Sequence, residues 1–308
     1  MDYLYYRAVN WDETEDAKDQ ATWLKLTNNF WLDGRVPISG DRSSWNQLTF
    51  SQRDLIGQQL AGISMLTAFE SEIGAPGLRD GHLTQQEEAV LNIITFMESV
   101  HTKAVTTIFR GLISQKEAAH YFQWADANQM LQKEVAELDA VYHHSNQLVR
   151  RAAFILTETM LINGKLAFIA RYPQLKGVSQ MLKNIMTGQA IFVDYLGYKF
   201  REALREQNEA ERKLIMETIQ ALTYKLWLTE NRFLKKHGTK DMIEAAQWGR
   251  NEAHRLLTGQ DRLADAPVSD PFIRQLQSVQ AQAQKAPVDS EIVDADAVEA
   301  MTSDDYDF

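Results

Sequence analysis

Thr84-Gln85-Gln86-Glu87-Glu88-Ala89-Val90-Leu91-Asn92-Ile93-Ile94-Thr95-Phe96-Met97-Glu98-Ser99-Val100-His101-Thr102-Lys103-Ala104-Val105 is the stretch that decides the fold. Val90, Leu91, Ile94, Met97, Val100, Ala104, Val105 and Ile108 recur at spacings of three and four, which predicts one long helix with a buried stripe over 82–113. Thr84 stands at the N-cap and Glu87 three residues on, the spacing of a capping box. Glu98 and His101 lie three apart on the apolar side of this helix, so a carboxylate and an imidazole share one face.

Outward from this helix the same periodicity recurs. Helices are expected over 14–31, 50–73 (capped by Ser51, stopped at Gly74-Ala75-Pro76-Gly77), 115–127 and 131–143. Others are expected over 147–172 and 173–206, divided at Tyr172-Pro173, and then over 209–236 and 241–257. Long helices with short connections make an all-α antiparallel bundle. With 6 prolines and 15 glycines among 308 residues, a turn-rich β architecture is disfavoured.

Composition removes several functions. The chain has no cysteine, hence no disulfide scaffold, thiolate zinc site or thiol nucleophile, in keeping with a cytoplasmic setting. The opening residues carry no basic stretch followed by an apolar run, and no 18 apolar residues run together, so neither a secretory signal nor a membrane span is expected. Net charge is −10, but eight acids and no Lys or Arg fall within 286–308. The near-neutral body is a poor nucleic-acid binder. From about Arg262 the apolar pattern fails, so 1–262 reads as the folded domain and 263–308 as a flexible acidic tail. That tail ends in Asp304-Asp305-Tyr306-Asp307-Phe308, where two terminal aromatics favour a docking peptide over a merely solubilising end.

A charged carboxylate in a dry core costs several kcal/mol unless a cation or hydrogen bonds compensate it. Glu98 and His101 are therefore either metal ligands or a core hydrogen-bonded pair. Glu158 repeats the pattern in the apolar run Ala152-Ala153-Phe154-Ile155-Leu156-Thr157-Glu158-Thr159-Met160-Leu161-Ile162. It is protonated, metal-bound or paired with a buried base. Lys165 is the candidate base, since seven residues span two turns and return to nearly the same face.

These motifs carry a family resemblance. Phe96-Met97-Glu98-Ser99-Val100-His101, Thr157-Glu158, Asn29-Phe30-Trp31-Leu32 with Val36-Pro37, Ile73-Gly74-Ala75-Pro76 and Leu196-Gly197-Tyr198-Lys199 are similar to the small (β) subunit of class I ribonucleotide reductase, most like class Ib. The likeness covers about 10–257 and the final residues. It implies a ferritin-like homodimer that supplies the initiating radical to a ribonucleotide-reducing large subunit, with Tyr306 and Phe308 docking on that partner.

The resemblance also implies six metal-ligand positions, and only Glu98, His101 and Glu158 are retained. Thr67 stands at the first-helix aspartate position, and Gln189 and Phe192 stand where a second Glu-x-x-His would lie. Val105 occupies the radical-tyrosine position, Gly188 the relay-aspartate position and Trp31 the relay-tryptophan position, where packing is the alternative role. Thr and Gln are poorer ligands for iron or manganese than carboxylates, and Phe is none. The expectation is therefore no metal or one transition-metal ion (Fe or Mn), not a di-metal centre. Three functions follow: a β subunit with an altered cofactor, a non-catalytic paralogue that modulates the reductase, or a stand-alone metal protein. Lys165 is expected to substitute for the missing metal charge beside Glu98 and Glu158.

Overall fold

The computed structural model describes residues 9–79, 83–260 and 271–284. Its elements are α1 (Ala17–Asn28), α2 (Arg42–Asn46), α3 (Phe50–Phe69), α4 (Gln85–Leu112), α5 (Gln115–Ala127), α6 (Gln129–His144), α7 (Gln147–Leu156), α8 (Asn163–Leu166), α9 (Lys176–Arg205), α10 (Glu209–His237), α11 (Lys240–Thr258) and α12 (Pro271–Gln284). Among the described residues there is no strand. The deciding stretch folds as expected. The apolar stripe of α4 is buried from Val90 to Ile108 and packs on α3, α1 and α9. Thr84 caps it by accepting from the Glu87 amide. The Glu87 carboxylate, by contrast, turns to Arg151 at 2.8 Å and Lys199 at 3.5 Å.

Two wide π turns interrupt the helices that carry acids. Glu70–Gly74 extends α3, and Thr157–Ile162 joins α7 to α8. A π turn inserts an extra residue into the helical repeat and rotates everything beyond it. The composite run Gln147–Arg171 is apolar enough to cross a membrane, with a mean hydropathy of 1.4, yet that window is 100% buried in the bundle. It is the central core helix. Gly249 lets α11 press on it: a Cβ there would lie 1.7 Å from the Thr159 carbonyl oxygen. Gly249→Ala is accordingly expected to destabilise the chain by about 1–3 kcal/mol through overpacking, measurable by urea unfolding. An unchanged midpoint would mean that α11 moves aside freely.

Several boundaries differ from expectation. The α3 cap is Thr49, not Ser51, because Phe50 is already the first helical residue and Thr49 completes a capping box with Gln52. Helix α1 ends at Asn28, so Trp31 lies in the following loop. The expected start of the third helix at His82 falls outside the described residues.

The largest difference is α12. Within the segment expected to be featureless, Phe272, Ile273, Leu276, Val279 and Ala283 are buried, and the helix packs on α9. The packed structure thus extends beyond residue 262. The end of the tail, with Tyr306 and Phe308, lies outside the described residues.

An ionic clamp fixes the first helix. Lys199 Nζ meets Asp19 at 2.6 Å and Asp16 at 2.8 Å, while the Tyr195 hydroxyl donates to Asp19 at 2.8 Å. Through Glu87 and Arg151 it ties α1, α4, α7 and α9 together.

Candidate metal centre

Glu98 and His101 are fully buried on α4, and His101 Nδ1 lies 3.2 Å from Glu98 Oε1. The imidazole stacks with two rings, those of Trp31 and Phe192, each with centroids 6.0 Å from its own. Glu98 Oε2, His101 Nε2 and Trp31 Nε1 have no hydrogen-bond partner within the protein. Nε2 looks towards Gly188, where a Cβ would lie 3.5 Å away.

Glu158 sits in the second π turn, fully buried, with both carboxylate oxygens unpartnered. Burial first, and then the charges of Glu98 and Glu70, push its pKa well above the usual carboxylate range. Gln189 is buried with both amide atoms unpartnered.

Glu70 is the residue that sequence reasoning missed. It is fully buried in the first π turn and accepts a 2.8 Å hydrogen bond from the Tyr142 hydroxyl. Burial raises its pKa to about 8; the Tyr142 hydrogen bond opposes this, and the Glu98 charge adds to it. The signal was its place three residues after Thr67, on the same helix face.

The other positions contribute no ligand. The Thr67 hydroxyl donates to the Ile63 carbonyl at 3.0 Å and accepts from Thr102 at 3.0 Å, so it is committed to the helix pair. Phe192 offers only a ring, and Val105 is core packing. Lys165 corrects the expectation most clearly. Its ammonium does not serve Glu98 or Glu158; it pairs with Glu230 at 2.6 Å and Glu134 at 3.4 Å, with all three side chains fully buried. The π turn explains this: with an extra residue between Glu158 and Lys165, seven positions no longer return to one face.

Among the described residues no three Asp, Glu or His side chains converge enough to hold an ion. The arrangement is a set of buried acids, Glu70, Glu98 and Glu158, beside one imidazole and one free amide. As placed, such a set can hold protons. Of the six family ligand positions, Glu98, His101 and Glu158 carry ionisable donors, Gln189 a neutral amide, and Thr67 and Phe192 a committed hydroxyl and a ring.

A ferritin-like helical bundle with a Glu-x-x-His helix facing buried carboxylates is the class that fold and site define. The profile of the family described as "Ribonucleotide reductase, small chain" matches residues 8–248. The chain belongs to that family, on its class Ib-like side.

The ribonucleoside-diphosphate reductase subunit beta of Mycobacterium leprae is 31% identical over 255 residues, covering 80% of this chain and 78% of that one. The ribonucleoside-diphosphate reductase 2 subunit beta of Escherichia coli is 30% identical over 209 residues, 67% and 66% of the two chains. The dimanganese(II)-NrdF structure of Streptococcus sanguinis superposes with a TM-score of 0.82 at 32% identity, covering 88% of this chain and 99% of that one.

Proposed function

We propose that this chain acts as a ribonucleoside-diphosphate reductase β subunit, docking on a large subunit through its C-terminal tail, without the ordinary di-metal, tyrosyl-radical centre. The committed Thr67 hydroxyl, the ligand-free ring of Phe192 and the apolar Val105 carry this reading of the centre. Where a metal binds, it is a single iron or manganese ion per chain. Because the retained residues do not fit a two-metal cofactor, no radical-generating step is assigned to them. Trp31 keeps contact with the centre by stacking on His101, which suits either a relay or simple packing.

The same three substitutions favour a second reading, in which the chain is a non-catalytic paralogue that binds and modulates the reductase subunits. A homodimer suits both. Phe30 and Phe96 are stacked at 5.8 Å yet remain 44% and 49% exposed, an apolar pair suited to burial against a second copy. Neither reading involves nucleic acid or a membrane, and the setting is cytoplasmic.

One experiment tests docking and separates the readings. Deleting residues 302–308 removes both terminal aromatics and three acids. It should abolish association with the large subunit, measured by calorimetry, while the melting temperature of the bundle stays put. Aromatic anchors in apolar pockets with acidic flanks are the chemistry at stake. Equal affinity of the truncated chain would remove the docking role. Deoxynucleotide formation by the full-length pair then marks the catalytic reading, and binding without turnover marks the modulating one.

A further inference from the structure

Helix α12 lies across one side of the buried acids. It packs mainly on α9, with smaller contacts to Ala167–Arg171 and α11. Phe272, Ile273, Leu276, Val279 and Ala283 form its buried face, and Gln280 donates to Glu252 of α11 at 3.2 Å. Leu276, Val279 and Gln280 close over Glu158, Asn163, Met186 and Gln189, and the gap left between them holds about one water.

Two effects of opposite sign meet at this seam. Apolar burial holds the helix down. Against it stand polar atoms without partners underneath: both carboxylate oxygens of Glu158, Asn163 Oδ1 and both amide atoms of Gln189. With α12 in place those atoms have lost water and gained no hydrogen bond; with α12 lifted, water satisfies them. A free helix of 14 residues is also marginal in water, so α12 owes its helicity to this seam. The 30-residue α9 beneath it is held differently, by α7, α11, α1 and α4 as well as by α12. An element secured by one compromised seam opens separately from the body it covers.

We propose that α12 is a lid, which lifts from α9 as a unit while the bundle stays folded and so admits water and small solutes to Glu158 and the acids behind it. Closed, it keeps that side of the centre dry. The inference concerns access alone, and it holds for the catalytic and the modulating readings alike.

Hydrogen exchange and peroxide oxidation of the full-length protein, both read by peptide mass spectrometry, test it. Amides of α12 should exchange at least a hundredfold faster than those in the middle of α9. Met186, on the floor of the gap, is 2% exposed; Met97 of α4, which does not line the gap, is 4% exposed. Peroxide transfers one oxygen to the thioether sulfur and leaves as water, so the initial sulfoxide rate reads access. Met186 should oxidise at least tenfold faster than Met97, although static burial ranks them the other way. Leu276→Asp, which puts a charge on the buried face of the lid, should raise the Met186 rate at least a further tenfold and leave Met97 unchanged. Gln189→Met, apolar and of similar length, removes two unpartnered atoms and should slow α12 exchange at least threefold, with circular dichroism checking the fold of both variants. The parent protein and Gln189→Met decide the matter even if Leu276→Asp folds poorly. The lid would be overturned by α12 amides that exchange in step with those of α9, or by Met186 as slow as Met97. An α12 exchange rate indifferent to Gln189→Met would overturn the account of what loosens it.

Discussion

Lys165→Met is expected to lower the unfolding free energy by about 3–5 kcal/mol, the range for breaking a buried ion pair by removing one partner. The ammonium lies 2.6 Å from Glu230 and 3.4 Å from Glu134, and 4.7 Å over the face of Phe233, with no solvent contact. Burial alone would lower the Lys165 pKa, but the two carboxylates outweigh it and hold the ammonium charged. Two acids share one cation, so the cluster approaches neutrality when one acid keeps a proton. Burial drives Glu134 towards that state and the Glu230 charge adds to it, against the pull of Lys165. Removing Lys165 leaves both acids in the core without a counter-charge.

Two variants make the measurement decisive. In Lys165→Met with Glu134→Gln and Glu230→Gln, no charge is left unpaired, and stability should return most of the way, since neutral or apolar replacements of a buried ionic set are often tolerated. Urea unfolding of the single and triple variants reads both effects. A single variant within about 1 kcal/mol of the parent would mean that water reaches the cluster. A triple variant no better than the single one would mean that Lys165 matters for packing rather than charge.

How the sequence announced this structure differs between its parts. Helix α4 was legible because its stripe is long and unbroken, and every residue of the stripe is buried. The family was legible in the same helix, since Phe96 to His101 is a compact motif. Helix α12 was not. Its buried positions are separated by Gln, Ser and Arg and lie next to an acidic terminus, so average polarity hid a short amphipathic face. The candidate site was half legible. Glu98, His101 and Glu158 were singled out and are buried, but the geometry between helices was read with an ideal repeat. The π turn over Thr157–Ile162 breaks that repeat, which is why Lys165 faces another cluster.

Glu70 carries the other large effect, a stability that falls as pH rises. Its carboxyl titrates at about 8 in the folded, metal-free chain against an ordinary value of 4.5. Between those values the folded state keeps a proton that the unfolded state has released, so the native state binds more protons and loses stability with each pH step. The contribution is full below about pH 4.5, declines by up to ~1.4 kcal/mol per pH unit, and is exhausted above about pH 8. Accumulated over that window it amounts to a few kcal/mol as an order of magnitude. Glu158 is raised as well and adds a slope of its own, so the comparison must isolate Glu70. Glu70→Gln does so, because the amide oxygen can still accept from Tyr142 while nothing ionises. Urea unfolding in chelator-containing buffer should find variant and parent close in stability near pH 5. The variant should be more stable by several kcal/mol near pH 8. Parallel curves across that range would show that Glu70 ionises at little cost, and that water or a counter-charge reaches the carboxyl in solution.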